Sequence, residues 1–314
     1  MLWEKVLRKL FITTLTAFIL LSIYMLPDKN SKLLPTSLEI EYLSGLGTNN
    51  IYLITDNKHL VKSKIILDNN DVKKDALKIL DTLTNGKTNI LPNGLHSIIP
   101  KSTKIKGINY HNNELIINFS KELYNIDSNL SKTMIESIVF SLTEITGVEK
   151  VRLLVEDEPL DRYPNTNYPL ENTLDKSIGI NKKININNRS DIDKVTIYYV
   201  ESIDNNKYYV PVTKYINNKD DKIKVIINEL TSSYIYEPNL MSFLNSKTKL
   251  KKYEEKNDAL ILDFSDDIFD TSNKILKEVL YTIGYSVFDN YDVQKVIFKV
   301  NNKNIKELTI KELS

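Results

Sequence analysis

Two stretches of sequence decide the fold: residues 114–124, ELIINFSKELY, and residues 259–269, ALILDFSDDIF. They align without a gap, and neighbouring segments match in the same order at nearly the same offset. One such match could arise by chance, but several in one order indicate an internal duplication. The flanking matches are 102–106 with 247–251, 151–155 with 296–300, and 51–52 with 197–198.

Each copy shows the same order of predicted strands and helices. Two apolar runs at 50–55 and 59–67 predict a hairpin, and residues 194–201 and 208–215 repeat it. A turn-rich insert follows the first helix, and a strand with alternating apolar residues comes next. A longer helix begins after Asp127 or Ser128, and a final strand ends the copy, at 151–155 and 296–300. The first helix, with Asp71 as its N-cap, is expected to bury Ala76, Ile79, Leu80 and Leu83, matched in the second copy by Ile223, Ile226, Ile227 and Leu230. The strand is expected to bury Leu115, Ile117 and Phe119, matched by Leu260, Leu262 and Phe264. The longer helix is expected to bury Leu130, Met134, Ile135, Ile138 and Leu142, matched by Ile275, Val279, Leu280, Ile283 and Val287.

This order predicts an α+β fold in two tandem units. Two helices with one apolar stripe each can leave water only by covering the same face of a sheet. We therefore expect two tandem small α/β sandwiches, each with two helices on one face of a small mixed sheet. The units span residues 48–160 and 193–314, and the proline-containing, polar segment 161–192 reads as a linker of which we expect part to pack.

Composition excludes several classes of protein. The 314 residues carry 42 basic and 41 acidic side chains, for a net charge of +1, so nothing indicates nucleic-acid binding. The chain has no cysteine, which removes disulfides, thiol catalysis, cysteine-ligated zinc and a lipid-modified cysteine anchor. A membrane anchor would have to be a segment of the chain itself.

The N-terminal segment supplies such an anchor. Residues 10–26 are uncharged and would span about 26 Å as a helix, the short end of a bilayer core. Lys5, Arg8 and Lys9 precede this run, which predicts a cytoplasmic N-terminus and an extracytoplasmic bulk. We expect a single-pass transmembrane helix within residues 1–27.

A juxtamembrane linker, residues 28–47, would follow the anchor. The alternative to a retained anchor is a cleaved secretory signal, but residues 22–27, SIYMLP, contain no small-x-small cleavage site. Either reading exports the remainder of the chain.

Residues suited to catalysis or metal binding do not form a recognisable set. His59, His96 and His111 all lie in the first copy without a ligand spacing, and none recurs in the second, so we expect exposed polar residues. Ser120 and Ser265 occupy equivalent positions without a nucleophile-elbow motif, and a bond that ends the strand explains them better. We predict no catalytic, cofactor or metal site.

The turn-rich insert of each copy is the candidate for partner binding. Proline and glycine fix its shape, and aromatic and methionine side chains are frequent anchors of protein interfaces. The alternative is that these apolar residues fold back over the sheet edge. The candidate contacts are Leu91, Leu95, Ile98 and Ile99 in the first copy and Tyr234, Tyr236, Leu240, Met241 and Phe243 in the second.

The ordered segments 51–53, 80–84, 91–100, 118–120 and 151–155 resemble the GerMN domain of bacterial sporulation and germination proteins. The resemblance covers about residues 48–160 and 193–302 and rests on packing and turn motifs. It implies a non-enzymatic envelope protein of an endospore-former, with a fold similar to the ring-building modules of secretion-like assemblies. The second copy departs from the pattern, because it lacks the glycine and the proline found at Gly86 and Pro100. The aligned positions in the second copy are near Ser233 and at Asn245.

Three functions follow for testing. The first is a scaffold, in an envelope complex between mother cell and forespore, that binds other sporulation proteins. The alternative is a peptidoglycan-binding or other glycan-binding module that acts through the tyrosine-rich second copy. A cell-wall enzyme is disfavoured, because no nucleophile, metal set or carboxylate pair emerges from the sequence.

Overall fold

The computed structural model describes Trp3 and residues 47–68, 70–88, 91–182, 192–217, 221–232 and 239–313. The chain divides into two units, residues 1–45 and 46–314, and the second is one compact body that contains both copies. Among the described residues, no helix combines the length and the apolar character needed to cross a membrane. The predicted anchor and juxtamembrane linker lie outside the described residues, apart from Trp3 and Gly47.

In its described residues, the first copy contains seven strands and two α-helices, with a 3-10 helix at Lys121–Asn125. The hairpin and the long helix fall where the sequence placed them. The elements are β1 (Gly47–Thr55), β2 (Leu60–Leu67), α1 (Val72–Leu83), β3 (Leu95–His96), β4 (Ile105–His111), β5 (Glu114–Phe119), α2 (Ser128–Leu142), β6 (Lys150–Val155) and β7 (Glu158–Pro159).

The second copy repeats this order and adds a short C-terminal helix. A 3-10 helix at Asp266–Ile268 corresponds to that at Lys121–Asn125, and another at Lys176–Ile178 lies in the linker. The elements are β8 (Ile192–Ile203), β9 (Asn206–Asn217), α3 (Lys222–Thr231), β10 (Leu240–Met241), β11 (Leu250–Lys256), β12 (Ala259–Phe264), α4 (Lys277–Asn290), β13 (Lys295–Val300), β14 (Lys303–Thr309) and α5 (Ile310–Leu313).

Each copy divides its strands between two sheets, so the expectation of one small sheet per copy is wrong. In the first copy the strand orders are β2-β1-β3 and β4-β5-β6-β7, and in the second β10-β8-β9 and β11-β12-β13-β14. The hairpin pairs with the short insert strand β3 or β10 and belongs to a sheet separate from the larger one. The larger sheet is mixed, because β5 pairs in parallel with β6 and β12 with β13.

The helices hold the two sheets of a copy together. Helix α2 packs against β1 of one sheet and β6 of the other, and α1 packs against α2, β2 and β4. Asp71 caps α1 by accepting hydrogen bonds from the backbone N–H groups of Lys73 and Lys74, and Asp127 caps α2 through Asn129. The predicted buried stripe of α1 is confirmed.

The described part of the linker packs against both copies. Leu170, Leu174 and Ile180 are buried, and Leu174 exchanges backbone hydrogen bonds with Val151 of the first copy. Ile180 accepts a bond from the backbone N–H of Thr213 in β9 of the second copy. The segment therefore fills space between the copies.

Candidate functional site

Equivalent tyrosines occupy the centre of each hairpin and are held by the same bonds. The backbone N–H of Tyr52 donates to Ser141 Oγ at 2.9 Å, and that of Tyr198 donates to Ser286 Oγ at 2.9 Å. The Tyr52 hydroxyl lies 3.3 Å from Glu144 Oε1, and the Tyr198 hydroxyl donates to Asp289 Oδ2 at 2.7 Å. The duplication thus repeats a bonding scheme as well as a fold.

These two tyrosines meet where the copies contact each other. The Tyr52 and Tyr198 side chains lie close together, and both are fully buried. Burial, followed by the negative charges of Glu144 and Asp289, raises the pKa of Tyr52 well above its ordinary value, so the phenol stays neutral. The Lys62 ammonium lies 5.9 Å from the Tyr52 ring centroid and 5.2 Å from that of Tyr198, which adds a cation–π contact to both copies.

A buried carboxylate forms a second contact between the copies. The Glu201 side chain, at the end of β8, has no exposed surface. It accepts hydrogen bonds from Thr55 Oγ1 and Asn57 Nδ2 of the β1–β2 turn, and His59 Nδ1 lies 3.0 Å from its Oε2. Burial opposes its ionisation, but the bonds from His59 and Asn57 outweigh that effect and lower the pKa of Glu201. A charged Glu201 therefore fixes the turn of the first copy to the second.

Asn181 of the linker closes the space between two edge strands, β2 and β9. Its Oδ1 accepts from the Leu60 N–H at 2.9 Å, and its Nδ2 donates to Leu60 O at 2.8 Å and Pro211 O at 2.7 Å. Its own N–H donates to the buried Glu136 carboxylate of α2 at 2.9 Å. The Asn181 amide thereby forms hydrogen bonds with backbone groups of the edge strands β2 and β9 that have no partner within their own sheets.

We call this contact region the seam, defined by Tyr52, Asn181, Tyr198, Glu201 and Lys62. Glu201 occupies the position equivalent to Thr55 and bonds to it, just as Tyr198 contacts Tyr52. Contacts between equivalent residues are the mark of a two-fold interface, here formed within one chain. A buried and hydrogen-bonded seam holds the copies at one mutual geometry.

The insert loop of the first copy serves this seam. Leu95, Ile98 and Ile99 are buried and Leu91 is half-buried, so the first three present no side-chain surface to a partner. At the tip of the loop, Asn93 O accepts from the Tyr208 hydroxyl at 2.8 Å.

Gly94 extends the contact, because a Cβ added there would lie 2.3 Å from Cγ2 of Ile203. The tip of the predicted partner loop therefore contacts the second copy of the same chain.

The insert of the second copy is described only in part. Tyr234 and Tyr236 lie outside the described residues, and Leu240 is buried. Met241 is exposed, and it lines a pocket of about 280 Å³ with the half-buried Phe243. Partner binding by these residues stays a prediction.

The histidines have separate environments. His59 is half-buried at the seam, where it packs against Glu201 of the second copy, so its expected exposure is wrong. His96 Nε2 lies 2.8 Å from Asp56 Oδ1 on the surface. Within the described ranges, no group of three or more histidine and carboxylate side chains is placed to hold a metal ion.

The repeated serines have a structural role. Ser120 Oγ accepts from the backbone N–H of Lys104 at 2.9 Å, and Ser265 Oγ accepts from that of Lys249 at 3.1 Å. Each bond joins the end of a central strand to the start of its neighbour, as expected from the sequence.

The fold and seam define a tandem α+β protein in which two copies of one domain form a single body. Residues 48–161 and 196–306 match the profile of the Germane family, described as sporulation and spore germination, and the chain belongs to this family. It is 29% identical to the spore germination protein GerM of Bacillus subtilis (strain 168) over 263 residues, 81% of this chain and 71% of that protein. The solved structure of the tandem GerMN domains of the sporulation protein GerM from Bacillus subtilis matches with a TM-score of 0.76 and 27% identity, covering 84% of this chain and 96% of that one.

Proposed function

We propose that this protein is a membrane-anchored, extracytoplasmic and non-enzymatic component of sporulation, which holds other proteins of an envelope complex between mother cell and forespore. Membership of the sporulation and spore germination family supports the process. The seam supports the mode of action. A scaffold acts by fixing the positions of its partners, and a chain whose domains moved independently could not do so.

The chemistry of the seam carries this proposal. Relative motion is the default for two domains joined by a linker, unless the contact between them is large and buried. Here, opening the contact would expose the Glu201 carboxylate, two buried tyrosines and the Asn181 amide together. Each group would lose partners that the other copy supplies, so a rigid body is favoured over a hinged pair.

The proposed membrane anchor and its orientation are supported by the sequence. The uncharged run at 10–26 and the preceding basic residues favour one membrane pass with the tandem domains outside. Carbonate extraction of membranes followed by protease treatment of intact cells measures both features. A protein released by carbonate, or protected from protease in intact vegetative cells, would contradict the placement.

A deletion in the encoding organism tests the function. We expect the number of heat-resistant spores to fall by orders of magnitude while vegetative growth is unchanged, with the block at or after engulfment. Wild-type spore counts in a clean deletion would refute the proposal. Complementation with Glu201→Ala should restore spores less well than Glu255→Ala, since Glu255 is exposed on β11 and distant in sequence from the seam residues.

Crosslinking with mass spectrometry in sporulating cells then identifies the partners. We expect crosslinks from the tandem domains to other envelope proteins only after sporulation begins. An absence of such crosslinks, in cells where the protein is present at wild-type levels, would count against scaffolding.

A further inference from the structure

A short loop in the linker, residues 160–170, holds a fixed shape. Its ends, Leu160 and Leu170, are buried, and the Leu170 N–H donates to Asp161 O at 2.8 Å. Inside the loop the Tyr163 N–H donates to Tyr168 O at 3.1 Å. These bonds leave the loop little conformational freedom to lose when it binds a ligand.

The tip of this loop is attached to the 3-10 helix at Lys121–Asn125. Asn165 adopts a left-handed conformation with φ of 57°, and its Nδ2 donates to Tyr124 O at 2.6 Å and to Ile126 O at 2.7 Å. Tyr124 and Tyr168 therefore belong to one supported surface, although they are far apart in sequence.

Two aromatic rings are exposed on this surface. Tyr168 is 59% exposed and Tyr124 is 42% exposed, and within the described parts of the chain neither hydroxyl has a hydrogen-bond partner. The Lys132 ammonium lies 3.9 Å from the Tyr168 ring centroid and covers one face of the ring. Much of that ring remains accessible to a ligand.

Exposed polar side chains lie on the same loop as Tyr168. Arg162 Nη1 donates to Asn167 O at 3.4 Å, both side chains are exposed, and Asn167 directly precedes Tyr168. We call Tyr124, Lys132, Arg162, Asn167 and Tyr168 the Tyr168 surface. It combines an aromatic face with a guanidinium, an amide and an ammonium group.

We propose that the Tyr168 surface binds the glycan strand of peptidoglycan. A sugar ring has an apolar C–H face that packs on an aromatic ring and a rim of hydroxyls that pairs with amide and guanidinium groups. The Lys132 ammonium is suited to a carboxylate of the stem peptide. A protein partner would be expected to bury a larger apolar cluster at the centre of its interface, and the Tyr168 surface combines two exposed rings with exposed polar side chains.

The surface is specific to the first copy. The position equivalent to Tyr124 is Phe269, which is half-buried, and β14 is followed directly by helix α5 in place of a loop like 160–170. Glycan binding would therefore involve the first copy, and not the tyrosine-rich second copy that the sequence favoured. The inference rests on the proposed extracytoplasmic location, because peptidoglycan is found there.

Co-sedimentation with purified sacculi tests the inference without requiring sporulation, so it can fail separately from the proposed function. The full chain, kept in one detergent, is spun with sacculi stripped of teichoic acids. We expect enrichment in the pellet over an unrelated protein, and about a ten-fold weaker affinity for Tyr168→Ala, the loss typical of removing an aromatic anchor. Tyr253→Ala, which removes a similarly exposed tyrosine from the second copy, is the matched control and should bind as the wild type.

Unchanged thermal unfolding of both variants shows that the comparison concerns binding. No enrichment of the wild-type chain, or equal affinity of Tyr168→Ala and the wild type, would overturn the proposal. A protein crosslinked through position 168, together with an absence of sacculus binding, would assign the surface to a protein and would also overturn it.

Discussion

Replacing Glu201 with alanine should weaken the seam more than any single change on the surface. The carboxylate is fully buried and bonded to Thr55, Asn57 and His59 of the other copy. Hydrogen bonds to a buried charged group typically contribute about 1.5–3 kcal/mol, and removing the Glu201 carboxylate also takes this acceptor from the buried Thr55 hydroxyl. We expect the free energy of unfolding to fall by that amount, out of a total of about 5–15 kcal/mol for an ordinary domain.

Urea denaturation followed by far-ultraviolet circular dichroism measures this loss. The wild-type chain should unfold in one transition, and Glu201→Ala should unfold at lower urea, with the copies separating before they unfold. The effect also depends on pH. Since the folded pKa of Glu201 is lowered, its contribution is complete above the ordinary glutamate pKa and is lost as the pH falls through the folded value. The wild type and the variant should therefore converge in acid.

Glu255→Ala is the matched control, since it removes an exposed glutamate from a strand of the same copy. Its free energy of unfolding should stay within about 0.5 kcal/mol of the wild type. A loss below about 1 kcal/mol for Glu201→Ala at neutral pH, with one unchanged transition, would refute the role given to this carboxylate.

Three further perturbations address the seam and residues that contact it or the other copy. Burial opposes the ionisation of Glu144, but the positive charges of Lys176 and Lys62 outweigh it and lower the pKa of Glu144 from 4.5 to about 2. Glu144→Gln should therefore remove about 3 kcal/mol of stability at neutral pH, which the wild type loses only as the pH falls from about 5 to about 2, and urea titrations at each pH measure this loss. Gly94→Ala should cost about 1–3 kcal/mol in thermal unfolding, because its Cβ would overlap Ile203 and its φ is +74°, whereas Gly107→Ala, with open space around it, should be near neutral. Asn181→Ala should cost about 2–4 kcal/mol and speed hydrogen exchange in β2, and exchange at the wild-type rate would contradict its bridging role.

The repeat and its secondary structure could be predicted from sequence because local patterns encode them. Leu115, Ile117 and Phe119 alternate along β5 and are all fully buried. Asp71 and Asp127 stand immediately before their helices and cap them. Such signals act within a few residues and recur in both copies. The order of strands and helices predicted for one copy therefore applies to the other.

The outer strands and the second sheet were missed for the opposite reason. Strands β11 and β14 lie at the edges of one larger sheet, and their mostly exposed, polar sequences show no apolar alternation. The two-residue strand β3 is too short for any periodicity, yet its pairing with β1 separates the hairpin from the larger sheet. These features arise from long-range pairing.

The seam could not be predicted from local pattern. Glu201 follows an apolar run and would ordinarily mark the exposed end of a strand, and His59 would ordinarily mark a turn. Glu201 is buried and His59 is half-buried because they pair across the two copies. Asn181, which joins the copies through Leu60 and Pro211, lies in a polar segment that the sequence predicts as linker. The one usable signal was the duplication itself, since equivalent surfaces of two copies can pair about a two-fold axis.

Pulsed electron spin resonance distance measurement between the copies tests the central claim most directly. The chain has no native cysteine, so Glu149→Cys in the first copy and Lys256→Cys in the second can be spin-labelled without other changes. A single narrow distance distribution, which broadens when Glu201→Ala is added, is the result that a rigid tandem body predicts. A broad distribution in the otherwise unaltered chain would show that the copies move independently and would contradict the account.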